Sequence, residues 1–243
     1  MEEEDLIRNA AQFILLIWFM ELFSLAQTPD TMDAARFAVP ILCTETHFAG
    51  RTRAHGSAVV IDTRGVIITA AHVVLDAQSS CSLTIVVPSS EWSRTSGFHP
   101  FKIGQCETNL ALDIAACRIT PVESKNDYKY LRAAVVRLFM PAPNSVVTVM
   151  GFTGWGFYPT VLRARLQSVQ LLRRQDGCYC DFAVDTSTFQ GMSGSPLVTS
   201  NGEVVGIITT SGTGKFRGLS FGTDFERAAV FLRKYALGSV ALR

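Results

Sequence analysis

Gly56-Ser-Ala-Val-Val-Ile-Asp-Thr-Arg-Gly-Val-Ile-Ile-Thr-Ala-Ala-His-Val-Val74 is the stretch on which the fold turns. Two short runs rich in β-branched residues, Ser57–Ile61 and Val66–Thr69, flank Asp62-Thr-Arg-Gly65. Branching at Cβ favours the extended chain. The glycine closing the turn can take the left-handed conformation that a tight reversal needs. The stretch therefore reads as a β-hairpin. Its second arm continues through Ala70 and Ala71 and stops at His72, which leaves an ionisable ring at the end of an apolar strand.

The same texture extends in both directions. Further strands are expected at Ala38–Cys43, Leu83–Val87 and Ile114–Ile119. Others are expected at Ser145–Met150, Arg165–Gln170, Cys180–Val184, Ser195–Val198, Val204–Ile208 and Gly218–Gly222. Many short strands separated by turn residues argue a barrel or a sandwich. The polar stretch Thr120–Tyr130 divides them into two sets, which predicts an all-β body of two barrels. The first barrel covers about 38–120, a linker 121–132, and the second barrel about 133–223. Phe225–Ala236 repeats its apolar residues at helical spacing and predicts a C-terminal helix over 225–236.

Composition narrows the function classes. The chain of 243 residues is 48% hydrophobic and 18% charged, a balance that excludes a disordered or collagen-like protein. A net charge of +1 with no basic run argues against a nucleic-acid partner. The six cysteines match no zinc spacing, and the close pair Cys178 and Cys180 is followed by no histidine. They read as structural residues. Their even number permits disulfides without fixing a pairing, and Cys117, inside an apolar run, reads as a free buried thiol.

Residues 1–37 stand apart from the β-rich body at 38–243. Phe13–Met20 (FILLIWFM) is a short apolar block preceded by Arg8, and Ser24 and Ala26 suit the small positions of a signal-peptide cleavage site. The acidic start Met1-Glu-Glu-Glu-Asp5 opposes that reading, and residues 10–26 fall short of the roughly 20 apolar residues that span a bilayer. A signal peptide or membrane anchor ranks ahead of an amphipathic surface helix. The expectation is an extracytoplasmic protein (secreted, periplasmic or membrane-anchored) with membrane contact through residues 10–26.

Three local settings carry chemistry. Ser193 lies in Gln190-Gly-Met-Ser-Gly-Ser-Pro196, where glycines allow a tight turn and free the amides of Gly191 and Ser193 to converge as an oxyanion hole. His72 ends its apolar frame, and Asp113 stands at the mouth of the strand Ile114–Ile119. A serine nucleophile needs a base, and the base needs a group that fixes its tautomer. Each signal alone has a plain structural explanation: a glycine turn, a packed histidine, a strand-start acid. Together, in the order His, Asp, Ser, they form one constellation. An α/β-hydrolase is excluded, because no histidine follows Ser193 and position 195 is serine where the Gly-x-Ser-x-Gly elbow needs glycine.

With these residues quoted, the chain resembles trypsin-fold proteases over about Ala38–Thr223, and within them the bacterial HtrA/Deg-type branch without a PDZ domain. Asp113-Ile-Ala, Gly191-Met-Ser-Gly-Ser-Pro and Gly202-Glu-Val-Val-Gly-Ile-Ile208 before Gly218-Leu-Ser-Phe-Gly222 carry the likeness, together with the opening hairpin. The resemblance implies two six-stranded antiparallel barrels of the chymotrypsin kind. It implies catalysis by His72, Asp113 and Ser193 and an oxyanion hole at Gly191 and Ser193. It further implies substrate contacts at Ser187, Thr188, Phe189 and Gln190 and along Thr209, Thr210, Ser211 and Gly212. Met192 stands where digestive relatives carry the aspartate that pairs with a new N-terminus, so zymogen activation of that kind is excluded. Serine at position 187 disfavours cleavage after Lys or Arg and leaves small or medium apolar residues as the expectation. Partners are protein or peptide substrates, and no metal or organic cofactor is implied. The competing reading is a catalytically silent peptide-binding or scaffold protein on the same fold.

Overall fold

The hairpin forms where the sequence puts it. Thr52–Asp62 (β2) and Val66–Thr69 (β3) pair antiparallel about a turn in which Gly65 has φ +92°. A side chain at Gly65 would strike the Ile119 carbonyl and the Tyr128 ring, so the turn demands glycine twice over. In this computed structural model the described residues are 37–45, 52–77, 81–89, 97–153, 159–168, 172–173 and 179–235. The expectations for residues 1–36 lie outside them.

The first barrel is completed by Ala38–Glu45 (β1), Cys81–Pro88 (β4), Phe98–Asn109 (β5) and Ile114–Pro121 (β6). It closes in the order β1-β2-β3-β6-β5-β4. The second uses Val146–Phe152 (β7), Pro159–Ser168 (β8), Phe182–Val184 (β11), Pro196–Thr199 (β12), Val204–Ser211 (β13) and Ser220–Asp224 (β14). It closes as β11-β14-β13-β12-β7-β8. Leu172–Arg173 (β9) and Tyr179–Cys180 (β10) form a separate two-stranded sheet. The fold is thus two closed six-stranded antiparallel barrels, joined through a 3₁₀ turn at Lys125–Tyr130.

Each barrel has its own apolar interior, one around Ile41, Ile67, Ile85 and Phe101, the other around Val149, Leu166, Phe182 and Leu197. A third cluster spans the seam between barrels: Val59 and Ile68 of the first meet Met150, Phe152 and Ile207 of the second, with Phe225 and Phe231 beneath. Burying each such side chain is worth about 1.5–3 kcal/mol relative to exposure. The seam therefore fixes how the barrels face each other, and the site lies along it.

Several expectations need correction. β5 was not anticipated, because Pro100 and Gly104, among the polar His99, Lys102 and Gln105, obscure the alternation that marks a strand. His72 lies on the first turn of a short helix, Ala71–Ala77 (α1), rather than at the strand's end. The C-terminal helix is confined to Ala229–Arg233 (α2), with turns over 225–228. Asp224 accepts from the Arg227 amide there (2.7 Å), starting a turn before the helix proper begins. Cys117 is buried but not free: it is bonded to Cys106, its cross-strand neighbour in the β5–β6 register. A second disulfide joins Cys43 to Cys81 across β1 and β4, and Cys180 is buried.

Candidate active site

His72 and Asp113 come from different elements of the first barrel. The β5–β6 turn delivers Asp113 at φ +49°, a left-handed conformation that aspartate tolerates better than most side chains. Its Oδ1 accepts the His72 main-chain N–H (3.0 Å), and its carboxylate faces His72 Nδ1 at 2.8 Å (Oδ2) and 3.1 Å (Oδ1). The Asp113 carbonyl in turn accepts the Ala71 amide at 3.1 Å. A carboxylate against Nδ1 holds the proton on that nitrogen and leaves Nε2, on the far side of the ring, as the basic atom. Asp113 is buried while the His72 ring remains partly exposed, so the pair opens to solvent only through the histidine.

The Ser193 segment consists of two consecutive turns. Met192 N–H donates to Phe189 O (3.0 Å) and Ser195 N–H to Met192 O (3.0 Å), with Gly191 at φ +96° and Gly194 at φ +86° in the third positions. Positive φ at that position marks the type II turn. Gly194 N–H is committed to Ile208 O at 2.7 Å, and Ile208 N–H to Ser195 O at 2.8 Å, which lays the segment along β13. The amides of residues 192, 194 and 195 are thus all used. Among the described residues, the amides of Gly191 and Ser193 donate to nothing in the protein. Two unused donors flanking one serine are what an incoming oxyanion requires.

The histidine and serine segments meet at Gly56. A Cβ there would fall 2.5 Å from a Val73 methyl and 3.2 Å from Ser193 O, so only a glycine lets the two approach. Among the described residues, no hydrogen bond joins the His72 and Ser193 side chains. Such contacts are commonly long before substrate binds.

Residues expected to touch substrate divide into two groups. Thr188 is buried and joins the β13 wall: its Oγ1 lies 2.7 Å from Ser211 Oγ and 3.0 Å from Ser220 Oγ. Ser211 Oγ donates to Thr188 O (2.9 Å) and Ser220 Oγ to Thr186 O (2.7 Å), while Thr188 N–H donates to Ser220 Oγ (2.9 Å). Thr209 is buried at the Phe221 carbonyl, and Gly212 N–H pairs with Leu219 O. Ser187, Phe189 and Gln190 face solvent, and Thr210 is half-buried. Sequence reasoning missed Ser220, which a motif search had no cause to join to Thr188 and Ser211. Another omission is Ser57, a buried residue bonded to the Ser193 segment.

The sequence profile of the trypsin-like peptidase domain matches residues 56–207, which is more than half of the chain. Among solved structures, the active form of the Rv3671c protease from M. tuberculosis superposes with a TM-score of 0.67 at 19% identity, over 90% of this chain and 88% of that one. The HtrA-type protease AlgW, solved with a tripeptide, gives 0.62 at 19% identity over 86% of this chain and 62% of that one. Identities at this level speak for a shared fold. No curated protein sequence matches the chain. The profile match, carried on the described barrels, makes this chain a member of the trypsin-like serine peptidase family.

Proposed function

We propose that the chain is an endopeptidase in which Ser193 is the nucleophile, His72 the general base and Asp113 its orienting partner. One observation carries this reading: from Gly191 to Ser195, the amides of Met192, Gly194 and Ser195 are spent on main-chain carbonyls, and those of Gly191 and Ser193 are left without an acceptor. His72 Nε2 takes the Ser193 proton as Oγ attacks the scissile carbonyl. The two free amides receive the oxyanion, and the imidazolium, stabilised by Asp113, then protonates the leaving amine. Water repeats the cycle on the acyl-enzyme.

The residue before the cut bond is small and uncharged in this reading. Thr188, Ser211 and Ser220 draw the two walls beside Ser193 together through direct hydroxyl contacts. Two of their three protons are spent on the Thr186 and Thr188 carbonyls, and the third lies within the group. A glutamate carboxylate would find no free hydroxyl donor there, and serine at position 187 supplies no charge for lysine or arginine. This refines the expectation of small or medium apolar residues towards the small end. The two disulfides favour an oxidising, extracytoplasmic compartment.

A fluorophosphonate probe mapped by mass spectrometry tests the proposal. Labelling at Ser193 that Ser193→Ala abolishes is the expected result. Folded protein that stays unlabelled would favour the silent peptide-binding alternative.

A further inference from the structure

Gly191 and Ser193, whose amides donate to nothing in the protein, have their carbonyls tied to one residue of the other barrel. Ser57 Oγ donates to Gly191 O at 2.8 Å, and Ser57 N–H donates to Ser193 O at 2.8 Å. Ser57 sits on β2, wholly buried, 134 positions away from Gly191. Its other groups are equally engaged: Oγ accepts the Phe152 amide of β7 at 2.9 Å, and its carbonyl accepts Thr69 Oγ1 at 2.7 Å. We propose that Ser57 is a positioning residue that sets the oxyanion hole from the first barrel, by holding the Gly191 and Ser193 carbonyls while their amides face the substrate. The proposal rests on the serine-peptidase reading above.

The physical need follows from Gly191. A glycine at φ +96° has low barriers on both sides of Cα, and its peptide turns freely unless something holds it. Here the Gly191–Met192 peptide is held at both ends, its oxygen by Ser57 Oγ and its nitrogen by Phe189 O. The loop is also pressed close: a Cβ at Gly194 would lie 2.0 Å from Ser57 O and 2.3 Å from Thr69 Oγ1. Without the Ser57 hydroxyl, the buried Gly191 carbonyl loses this donor and the Phe152 amide loses Ser57 Oγ as an acceptor. Each then gains by turning towards another partner or water. A tilt of the loop would cost little in substrate binding, because the ground-state carbonyl leans weakly on these amides. In the transition state it would be felt fully.

The test uses Ser57→Ala and the near-isosteric Ser57→Cys, whose thiol is a poor donor. Wild type is first labelled with a fluorophosphonate, which tests the peptidase reading by itself. Steady-state cleavage is then compared with inhibition by a peptide boronic acid, whose tetrahedral adduct occupies the oxyanion hole, and by the matching product peptide, which reports ground-state binding. Both variants should lose kcat, on the order of 10–100-fold for alanine and less for cysteine, below the 10²–10³-fold typical of deleting a donor outright. KM and product-peptide affinity should hold, while the boronate weakens in step with kcat. Unchanged kcat in a folded variant overturns the proposal. So does parallel weakening of boronate and product peptide, since a purely structural defect moves both. Should alanine prevent folding, the cysteine variant decides by the same criteria. An unlabelled wild type would sink the peptidase reading instead.

Discussion

Asp224 ends β14 with its carboxyl buried beside Asp181, and among the described residues one cation serves the pair. The Arg227 guanidinium bonds Asp181 Oδ1, whereas Asp224 Oδ1 takes the main-chain N–H of Arg227. Burial pushes the Asp224 carboxyl up from 3.8 to about 6; the Arg227 amide opposes the rise, and the Asp181 and Glu226 charges add to it. The folded protein thus holds this proton more tightly than the unfolded chain. The stability it contributes is fully present below about pH 4 and is lost as pH rises through about 6. At about 1.4 kcal/mol per pH unit the full difference is about 3 kcal/mol, and solvent screening reduces it to about 2. Asp224→Asn keeps an oxygen for the Arg227 amide and cannot ionise. It should therefore stabilise the protein by about 2 kcal/mol near pH 8, raising Tm by about 4–8 °C for a chain of this length. Near pH 4 the two proteins should melt together. Thermal melts by circular dichroism, in a Ser193→Ala background to prevent self-digestion, give the difference directly, and other titrating groups cancel in it. The reasoning is refuted by a gap that is the same at both pH values, or by an asparagine variant that melts lower near pH 8.

Three other perturbations bear on the site and its frame. Asp113→Asn presents an amide to His72 Nδ1 and favours the wrong tautomer, so kcat should fall about 10⁴-fold with little change in KM, read with a peptide substrate. Removing the Cys106–Cys117 bridge with paired alanines should cost about 2–3 kcal/mol in urea titration, since the link closes the hairpin whose turn carries Asp113. Thr188→Ala combined with Ser211→Gly opens the hydroxyl bridge; kcat/KM should shift towards larger apolar residues before the cut bond by about 10–200-fold per methylene accommodated. A flat profile across that peptide series would show that the bridge does not floor the pocket.

What was legible in the sequence was local. The hairpin announces itself because Gly65 must sit at φ +92° between two β-branched runs. The Gly191–Pro196 segment does so because two tight turns around a serine need glycine twice. Asp113 and His72 were each readable as a polar residue placed against an apolar strand, and the structure brings them within 2.8 Å. β5 was illegible for the converse reason. Its outward face carries Lys102, Gly104 and Gln105, and its inward anchors reduce largely to Phe101 and Ile103. The alternation is there, but proline and glycine obscure it. The cysteine pairs were hidden as well: Cys106 meets Cys117 only once β5 exists as a strand in register with β6.

Ser57 shows a different kind of illegibility. Its neighbours in sequence suggest an ordinary strand serine, and its pairing opposite Pro40 on β1 is unremarkable. Its chemistry comes from groups 95 to 136 positions away: the Phe152 amide, the Gly191 carbonyl and the Ser193 carbonyl. No spacing rule reaches that far, because the closure of two barrels and the seam between them decide which atoms meet. His72, Asp113 and Ser193 can be recognised singly, each by its own setting. The frame that aims the two free amides belongs to the pair of barrels, and it was invisible until both were closed. For that reason Ser57, rather than a fourth residue of the nucleophile loop, is where the amides' orientation is open to perturbation without touching the reacting groups.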